Sequence, residues 1–438
     1  MTLDTSAQPQ PQAPPRPRPR SLWRDAAFLR FWAGQSISVM GTQVTTFAVP
    51  VMIVTTMGAT ASQVGLARFM QTVPYLFLTL PVGLWVDRHP ARRAMLAANV
   101  IRGVVIATIA ILGGAGVLRL DLLYVLLLAV GAFTAVFDVS YQSYLPVLVR
   151  RDQLVDGNSK LSVSDSAAQV AGPGLGGLLV QALTAPIALV ADAISYAVSV
   201  VTLLTLRGKD EAGELAPPAE QESIRRRLAA GLGVVMRNPY LRILGLESLT
   251  YNFFVQFNQT LVVIYAIRHL GLTVGALGLA ISIGGLGSVA GAMVARKTML
   301  MIGFGPAFIA GTALACVAPI LLPLATRPHS LAIALIATFY LLAGFGVTIS
   351  IVGAVTLRQT VTPRHLLGRV NAAMRLASYG AVPLGSLAAG GLAATAGVRG
   401  TLFIGVAGLA LPVLILMLSP IPRLRTSFAA APEADTPA

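Results

Sequence analysis

Charge is the property that this sequence has least of. Only 11% of the 438 residues are Asp, Glu, Lys or Arg, whereas 55% are hydrophobic and the mean hydropathy is +0.75. Soluble globular proteins carry about 25% charged residues. A soluble fold of this length would lack the surface charge needed to stay dispersed. The composition therefore excludes an ordinary soluble protein and indicates an integral membrane protein.

Cysteine, histidine and nucleotide-binding motifs are also scarce. The single cysteine, Cys316, lies in an apolar run without an intrachain disulfide partner, and the four histidines (His89, His269, His329 and His365) are too scattered to predict a metal cluster. No G-x-x-x-x-G-K-[ST] motif occurs, which excludes an ATP-driven motor on this chain. We therefore expect no enzyme activity, no metal and no cofactor.

Long apolar runs are abundant instead. A membrane-spanning helix needs about 20 mostly apolar residues, and twelve segments meet that requirement. Helices are expected because a backbone in lipid must satisfy its own hydrogen bonds. The predicted fold class is all-α integral membrane with twelve transmembrane helices. The segments are 31–57, 62–86, 94–117, 121–148, 159–183, 186–206, 239–267, 273–295, 298–323, 331–356, 368–396 and 399–420.

The basic residues predict the orientation. With the N-terminus in the cytoplasm, 25 of the 32 Lys and Arg residues fall in cytoplasmic segments and four in outside loops. This bias places both termini inside. It also explains the net charge of +15 by topology, so nucleic acid is not an expected partner. Arginine outnumbers lysine 29 to 3, which suggests a GC-rich bacterial genome and hence the bacterial plasma membrane.

A long polar stretch divides the chain into two halves. It contains "GKDEAGELAPPAEQESIRRR" and reads as a cytoplasmic linker. The N-terminal tail is rich in Pro and Arg, lacks the apolar core of a cleavable signal and is expected to be disordered. The predicted division is a tail at 1–22, a first six-helix bundle at 23–206, the linker at 207–238, a second bundle at 239–420 and a cytoplasmic tail at 421–438.

The two halves repeat each other. "FLRFWAGQS" at 28–36 resembles "YLRILGLES" at 240–248, and "VGLA" at 64–67 resembles "LGLA" at 277–280. The offset stays near 212–213 residues in separate regions, which chance matches would not maintain. Two pseudo-symmetric six-helix bundles in parallel orientation are therefore predicted, as in a two-domain transporter.

Residues 83–93, "GLWVDRHPARR", resemble the loop motif that joins segments 2 and 3 in the major facilitator superfamily. The resemblance implies the major facilitator fold and a loop that latches the cytoplasmic side shut. An ordinary positive-inside loop with a local ion pair is the alternative. Pro90 departs from the motif, where a glycine is common. The latch residues are Gly83, Asp87, Arg88, Arg92 and Arg93.

A second motif, "VAGPGLGG" at 170–177, resembles the segment 5 motif of that family's antiporters. The matching residues are Gly172, Pro173, Gly176 and Gly177. Pro173 removes a backbone hydrogen bond and the glycines permit close packing, so a pliable helix between moving halves or a packing motif alone would each fit. A dinucleotide site is disfavoured because no strand precedes these glycines.

The spacing of "LRFWAGQSISVMGTQ", "DRHPARR" and "ADAISY" is most similar to siderophore and macrolide exporters, and the resemblance covers residues 24–420. It implies a secondary transporter that exports a small organic molecule, such as a drug, a siderophore or a secondary metabolite, in exchange for protons by alternating access. A monomer in the lipid bilayer is expected. An uptake permease and a non-transporting sensor or assembly protein remain alternatives.

Ionisable residues inside the apolar segments are candidates for the transport site, because each costs a few kcal/mol or more in lipid. Glu247 and then Asp138 are the predicted proton carriers, since a carboxylate can bind a proton in one conformation and release it in another. Asp165 and Asp192 are expected in structural ion pairs, and Arg68 has no assigned role. The predicted cavity residues are Glu247, Asp138, Arg102, Arg375, Gln35, Asn252, Gln256 and Asn258.

Overall fold

The computed structural model describes residues 21–86, 89–206 and 224–424. Within these ranges the regular elements are helices, and no strand occurs. The first half contains α1 (Ala26–Thr55), α2 (Ala61–Val86), α3 (Ala91–Gly114), α4 (Leu120–Leu148), α5 (Leu154–Ala182) and α6 (Ala185–Leu204). The second half contains α7 (Ile224–Arg237), α8 (Pro239–Ile264), α9 (Val274–Ile302), α10 (Phe304–Val317), α11 (Leu321–Leu324), α12 (His329–Val361), α13 (Leu367–Gly408) and α14 (Ala410–Met417).

These helices agree with the predicted all-α membrane fold. Among the described residues, eight helical stretches are long and apolar enough to cross a membrane. One of them, Leu367–Met417, has 51 residues and bends at Gly397, whose φ of 70° lies outside the helical region. The helices α2, α5 and α8 have 26 to 29 residues each. The count is therefore consistent with twelve passes.

The internal repeat is visible where each half begins. Asp25 precedes α1, and its carboxylate accepts hydrogen bonds from the backbone N–H groups of Ala27 and Phe28 at 2.8 and 3.1 Å. Asn238 precedes α8 and accepts in the same way from Tyr240 and Leu241 at 3.0 and 3.3 Å. A side-chain oxygen at this position satisfies N–H groups that a helix leaves unpaired. The two caps lie 213 residues apart, so both halves start their first long helix identically.

One predicted boundary was wrong. Segments 8 and 9 were divided near Arg296 and Lys297, but α9 continues through both residues to Ile302 and the chain turns at Gly303, where φ is 92°. Basic side chains between apolar runs predict a loop, but here the helix extends beyond the apolar run and carries both charged residues. Residues 224–237 of the predicted linker form α7, and residues 207–223 lie outside the described part.

Hydrophobic packing differs at the two ends of the molecule. At the end with the α1–α2 connection, one apolar core contains buried residues of both halves, such as Met52 and Leu261. At the end where α1 and α8 begin, the halves have separate cores, one around Phe31 and Met95 and another around Leu241 and Phe308. We call these the closed end and the split end, because a shared core holds the halves together only at the first.

Candidate functional site between the two halves

Glycines bring the halves together near the closed end. A Cβ on Gly65 of α2 would lie 2.7 Å from the Cα of Gly390 in α13, and a Cβ on Gly177 of α5 would lie 3.0 Å from the Cα of Gly278 in α9. Small residues allow such close helix packing in membranes. Gly65 and Gly278 lie 213 residues apart, as do Gly177 and Gly390, so the two contacts are pseudo-symmetric. Gly177 of the predicted antiporter motif thus lies at the interface.

Hydrogen bonds also cross the interface at the closed end. The Arg268 guanidinium donates to the carbonyl oxygens of Val54 and Ala59, each at 2.7 Å. The backbone N–H of Gly275 donates to Gln181 Oε1 at 2.7 Å. Val54, Ala59 and Gln181 belong to the first half, whereas Arg268 and Gly275 belong to the second. Polar and apolar contacts therefore close this end together.

A chamber lies between the halves. It consists of a cavity of about 680 Å³ bounded by α5, α8, α9 and α12 and a neighbouring cavity of about 210 Å³ bounded mainly by α1, α2 and α8. We call the two together the central chamber. They share four lining residues: Gln43, Gln259, Ile281 and Tyr340.

The predicted motif of α5 borders this chamber. Pro173 lines the smaller cavity, and a Cβ on Gly172 would collide with the side chain of Gln43. A Cβ on Gly176 would lie 3.4 Å from the Val44 Cα. The motif therefore lets α5 approach α1 where the chamber is formed.

Glu247 lies in a side pocket of the second half. This pocket has about 200 Å³, is lined by Glu247, Asn252 and Arg358, and shares Tyr251 with the central chamber. The Glu247 side chain is buried, and within the described residues its carboxylate has neither a salt bridge nor a side-chain hydrogen bond. The Asn252 amide donates to the Ser248 carbonyl oxygen at 2.7 Å. Two predicted cavity residues are thus brought together beside the chamber.

Asp138 is arranged differently. Tyr75 of α2 donates its hydroxyl to Asp138 Oδ2 at 2.6 Å. The Tyr75 ring stacks on Tyr379 of the second half, with ring centroids 5.8 Å apart, and the Arg375 guanidinium lies 5.4 Å from the Tyr379 centroid. Tyr75, Arg375 and Tyr379 line a further cavity of about 330 Å³, which also contacts Gln142. Asp138 is therefore linked through one hydrogen bond to an aromatic contact between the halves.

Other predicted cavity residues lie within one half and do not line these cavities. Arg102 donates to the Tyr196 hydroxyl at 2.7 Å and lies over that ring, with its Cζ 4.4 Å from the centroid. Gln35 donates to Ser199 Oγ at 3.1 Å. These contacts join α1, α3 and α6, so the structure gives both side chains a packing role.

Two predicted residues of α8 are likewise buried away from the cavities. Gln256 accepts from Ser386 Oγ at 3.4 Å. Neither side-chain polar atom of Asn258 has a hydrogen-bond partner among the described residues. The ion pairs predicted for Asp165 and Asp192 are not formed with any of the described residues. Asp192 instead accepts a hydrogen bond from Ser195 Oγ at 2.9 Å.

The predicted latch is described only in part, because Asp87 and Arg88 lie outside the described residues. Arg92 is buried, and its Nε donates to the Leu203 carbonyl oxygen at 2.9 Å, near the end of α6 in the same half. Arg93 is exposed. A Cβ on Gly83 would meet nothing within 4 Å. The described latch residues thus include one that stabilises its own half.

The sequence patterns missed several side chains of this interface. Gln43, Tyr75 and Tyr379 lie on α1, α2 and α13, and none is ionisable at neutral pH, so a search for charge in apolar segments passes over them. Arg268 is one of the four basic residues that the predicted orientation assigns to outside loops. An amide or tyrosine amid apolar residues was the available signal, but it does not say which half the side chain contacts.

A sequence profile of the Major Facilitator Superfamily matches residues 31–386. The chain is 27% identical over 401 residues to the multidrug efflux pump Tap of Mycolicibacterium fortuitum. This alignment covers 88% of this chain and 93% of the relative. It is 23% identical over 228 residues to macrolide efflux protein A of Streptococcus pyogenes, covering 52% of this chain and 55% of that protein.

Solved structures share the fold. The crystal structure of a bacterial homologue of the iron transporter ferroportin, in the inward-facing state, superposes with a TM-score of 0.72. The superposition covers 91% of this chain and 99% of that one, at 18% sequence identity.

Proposed function

Because this chain belongs to the Major Facilitator Superfamily, we propose that it exports a small organic molecule from the bacterial cytoplasm in exchange for protons. The observation that carries the proposal is the full-length similarity to a relative named as a multidrug efflux pump. The central chamber supports it, since a cavity between two pseudo-symmetric halves is where secondary transporters bind their substrates.

The proposed orientation gives the two ends their roles. Both termini are proposed to lie in the cytoplasm, following the distribution of Lys and Arg. The split end then faces the cytoplasm, and the closed end faces outside. An exporter must take up its substrate from the inside, so this conformation fits the loading step. Residues 23–206 and 239–420 would rock about the chamber as two bodies of one monomer.

Proton coupling is assigned to Glu247 and Asp138. The carboxylate of Glu247 is buried beside the chamber, and Asp138 is hydrogen-bonded to a residue that contacts the other half. Burial of a carboxylate disfavours its charged form, so a conformational change that admits water would change its proton occupancy. This supports exchange of a proton for the substrate at or near the chamber.

The proposal is tested by efflux from a bacterial host that lacks its own efflux pumps. Cells that express the chain are loaded with cationic ethidium, neutral chloramphenicol or anionic calcein, and the loss of each compound is followed with and without a protonophore. We expect faster loss of at least one compound, abolished by the protonophore. Accumulation would instead indicate an uptake permease. No movement of any compound, with the protein correctly inserted, would contradict transport.

The latch is a separate proposal. A carboxylate at Asp87 could accept hydrogen bonds from N–H groups at the start of α13, on the same side of the membrane in the predicted topology. We predict that Asp87→Asn preserves expression and removes most efflux. Asp121→Asn is the matched control, because it removes an exposed carboxylate at the start of α4, outside the latch. Near-normal efflux by Asp87→Asn would contradict the latch.

A further inference from the structure

Arg68 of α2 is a half-buried cation without a carboxylate partner among the described residues. Its Nε atom is inaccessible and has no hydrogen-bond partner, and its only side-chain hydrogen bond within the described residues is from Nη1 to Gln71 Oε1, at a long 3.4 Å. No described carboxylate lies within 4 Å of the guanidinium. A cation held in a membrane segment normally faces a partner or a water-filled cavity.

Arg102 and Arg375, the two other arginines inside the predicted apolar segments, already have aromatic or hydroxyl partners. Arg102 has the Tyr196 hydroxyl at 2.7 Å, and Arg375 lies over the Tyr379 ring. These contacts place both guanidinium groups against structural neighbours. Arg68 has only the long contact to Gln71, so fixed structure does not account for its presence.

The position of Arg68 explains why a cation is present in this helix. It lines the smaller cavity of the central chamber, together with the amides of Gln43, Gln71 and Gln259. No other lining residue of either chamber cavity is charged. The chamber therefore carries one positive charge and no negative one. Amide groups around it can donate further hydrogen bonds to an acceptor.

We propose that Arg68 is an anion-binding subsite of the chamber, and that the transported molecule carries a carboxylate. The guanidinium would bind the acidic group in a charge-assisted, bidentate manner, while the larger cavity holds an apolar body. Gln43 and Gln259 come from opposite halves, so they flank the bound group from both sides. This inference rests on the proposed function, because it names the substrate class of the same chamber.

The experiment measures binding to the purified full-length chain in lipid nanodiscs, so it does not require transport. Two isosteric probes are compared: 2-naphthoate, which has a carboxylate, and 2-naphthamide, which does not. Cys316 is the only cysteine and is buried, so a thiol-reactive dye reports unfolding. The dependence of the unfolding temperature on probe concentration then yields each Kd, because a ligand that binds the folded state stabilises it.

We expect 2-naphthoate to bind with a Kd at least about tenfold lower than 2-naphthamide, the size of effect given by a hydrogen bond to a charged group. Arg68→Gln should make the two Kd values equal, and Arg68→Lys should keep part of the difference. Arg68→Gln should also raise the unfolding temperature without probe, because it removes a half-buried cation that has no carboxylate partner. A purely structural role of Arg68 would lower that temperature instead.

Arg327→Gln is the control, since Arg327 is exposed and lies outside the chamber. It should leave both Kd values unchanged. Equal affinity of the wild-type chain for the two probes, no saturable binding of 2-naphthoate, or an acid preference that survives in Arg68→Gln would each overturn the subsite. If Arg68→Gln does not fold, the subsite is tested by the Kd values of the wild-type chain and of Arg68→Lys for the two probes. Failure of the proposed function would be seen separately: efflux would be absent although 2-naphthoate still binds more tightly than 2-naphthamide.

Discussion

The two halves share a backbone plan but differ in how they hold their predicted proton carriers, Asp138 and Glu247. They begin with equivalent caps at Asp25 and Asn238. In the first half, Arg102 and Asp138 both have short hydrogen bonds to tyrosine hydroxyls, at 2.7 and 2.6 Å. In the second half, the carboxylate of Glu247 has no such partner among the described residues.

This difference shows that packing between helices and the use of polar side chains are constrained separately in this chain. Helix caps and glycine contacts are fixed by packing, which both halves must satisfy in the same way. Polar side chains are not fixed by packing alone, so each half can use them differently. A carboxylate without fixed partners can change its protonation without breaking a network. The comparison therefore favours Glu247 over Asp138 as the group that carries the proton.

The largest effect is expected from Glu247→Gln. The substitution keeps size and polarity but removes the titrating group, so proton-driven efflux should fall by about tenfold or more, comparable to the loss of a charged interaction. Efflux driven by an imposed pH gradient in proteoliposomes is the measurement. Downhill movement of the substrate without a pH gradient should persist, because the chamber is intact.

Glu247→Asp is the matched control, since it retains a carboxylate and should retain part of the coupling. If Glu247→Gln still couples efflux to the pH gradient as well as the wild type, the contrast between the halves does not reflect proton transport. Asp138 would then be the remaining predicted carrier.

A smaller effect on efflux is expected from breaking the Asp138 hydrogen bond. Tyr75→Phe keeps the ring stack on Tyr379 and removes the hydroxyl that donates to Asp138 Oδ2 at 2.6 Å. The loss of this hydrogen bond should lower the free energy of unfolding by about 1.5–3 kcal/mol. Asp138→Asn should lower both efflux and thermal stability, whereas Glu247→Gln should affect efflux alone. Combining Tyr75→Phe with Asp138→Asn should cost less than the sum of the two, because Asp138→Asn weakens the same hydrogen bond that Tyr75→Phe removes. Full additivity would show that the two residues act separately.

Much of the fold was predictable from the sequence, and less of the site. Apolar runs predicted the helical membrane fold, and the repeated offset correctly related two similar halves, because both patterns follow from packing in lipid. Charge in apolar segments identified Glu247 and Asp138 as candidates. It did not distinguish Arg102, which packs on Tyr196, from Arg68, which lines the chamber. That distinction depends on contacts between distant helices, which helical spacing does not reveal.

The contact between Gly65 and Gly390 tests whether the halves must pack closely. A Cβ on Gly390 would lie 2.9 Å from the Gly65 Cα and 3.1 Å from the Ala61 carbonyl oxygen, whereas a Cβ on the adjacent Gly391 would meet nothing within 4 Å. Gly390→Ala should therefore destabilise the closed end by about 1–3 kcal/mol. Gly391→Ala, on the same helix, should leave the unfolding temperature unchanged or slightly higher. Thermal unfolding in nanodiscs compares the two, and equal effects would contradict the packing role.

The smallest effect is expected where the repeat is broken at the closed end. Arg268 reaches Val54 and Ala59 of the first half, but the first half has Thr55 at the equivalent position, 213 residues earlier. Because the Arg268 side chain is exposed, Arg268→Gln should shift the balance toward opening by only about 0.5–1 kcal/mol, or two- to fivefold. Spin labels at Thr56→Cys and Arg327→Cys, in a Cys316→Ser background, would report the distance across this end. His269→Gln, one residue further along, is the control and should not change that distance. An unchanged distance distribution in Arg268→Gln would show that the Arg268 hydrogen bonds do not help to keep the end closed.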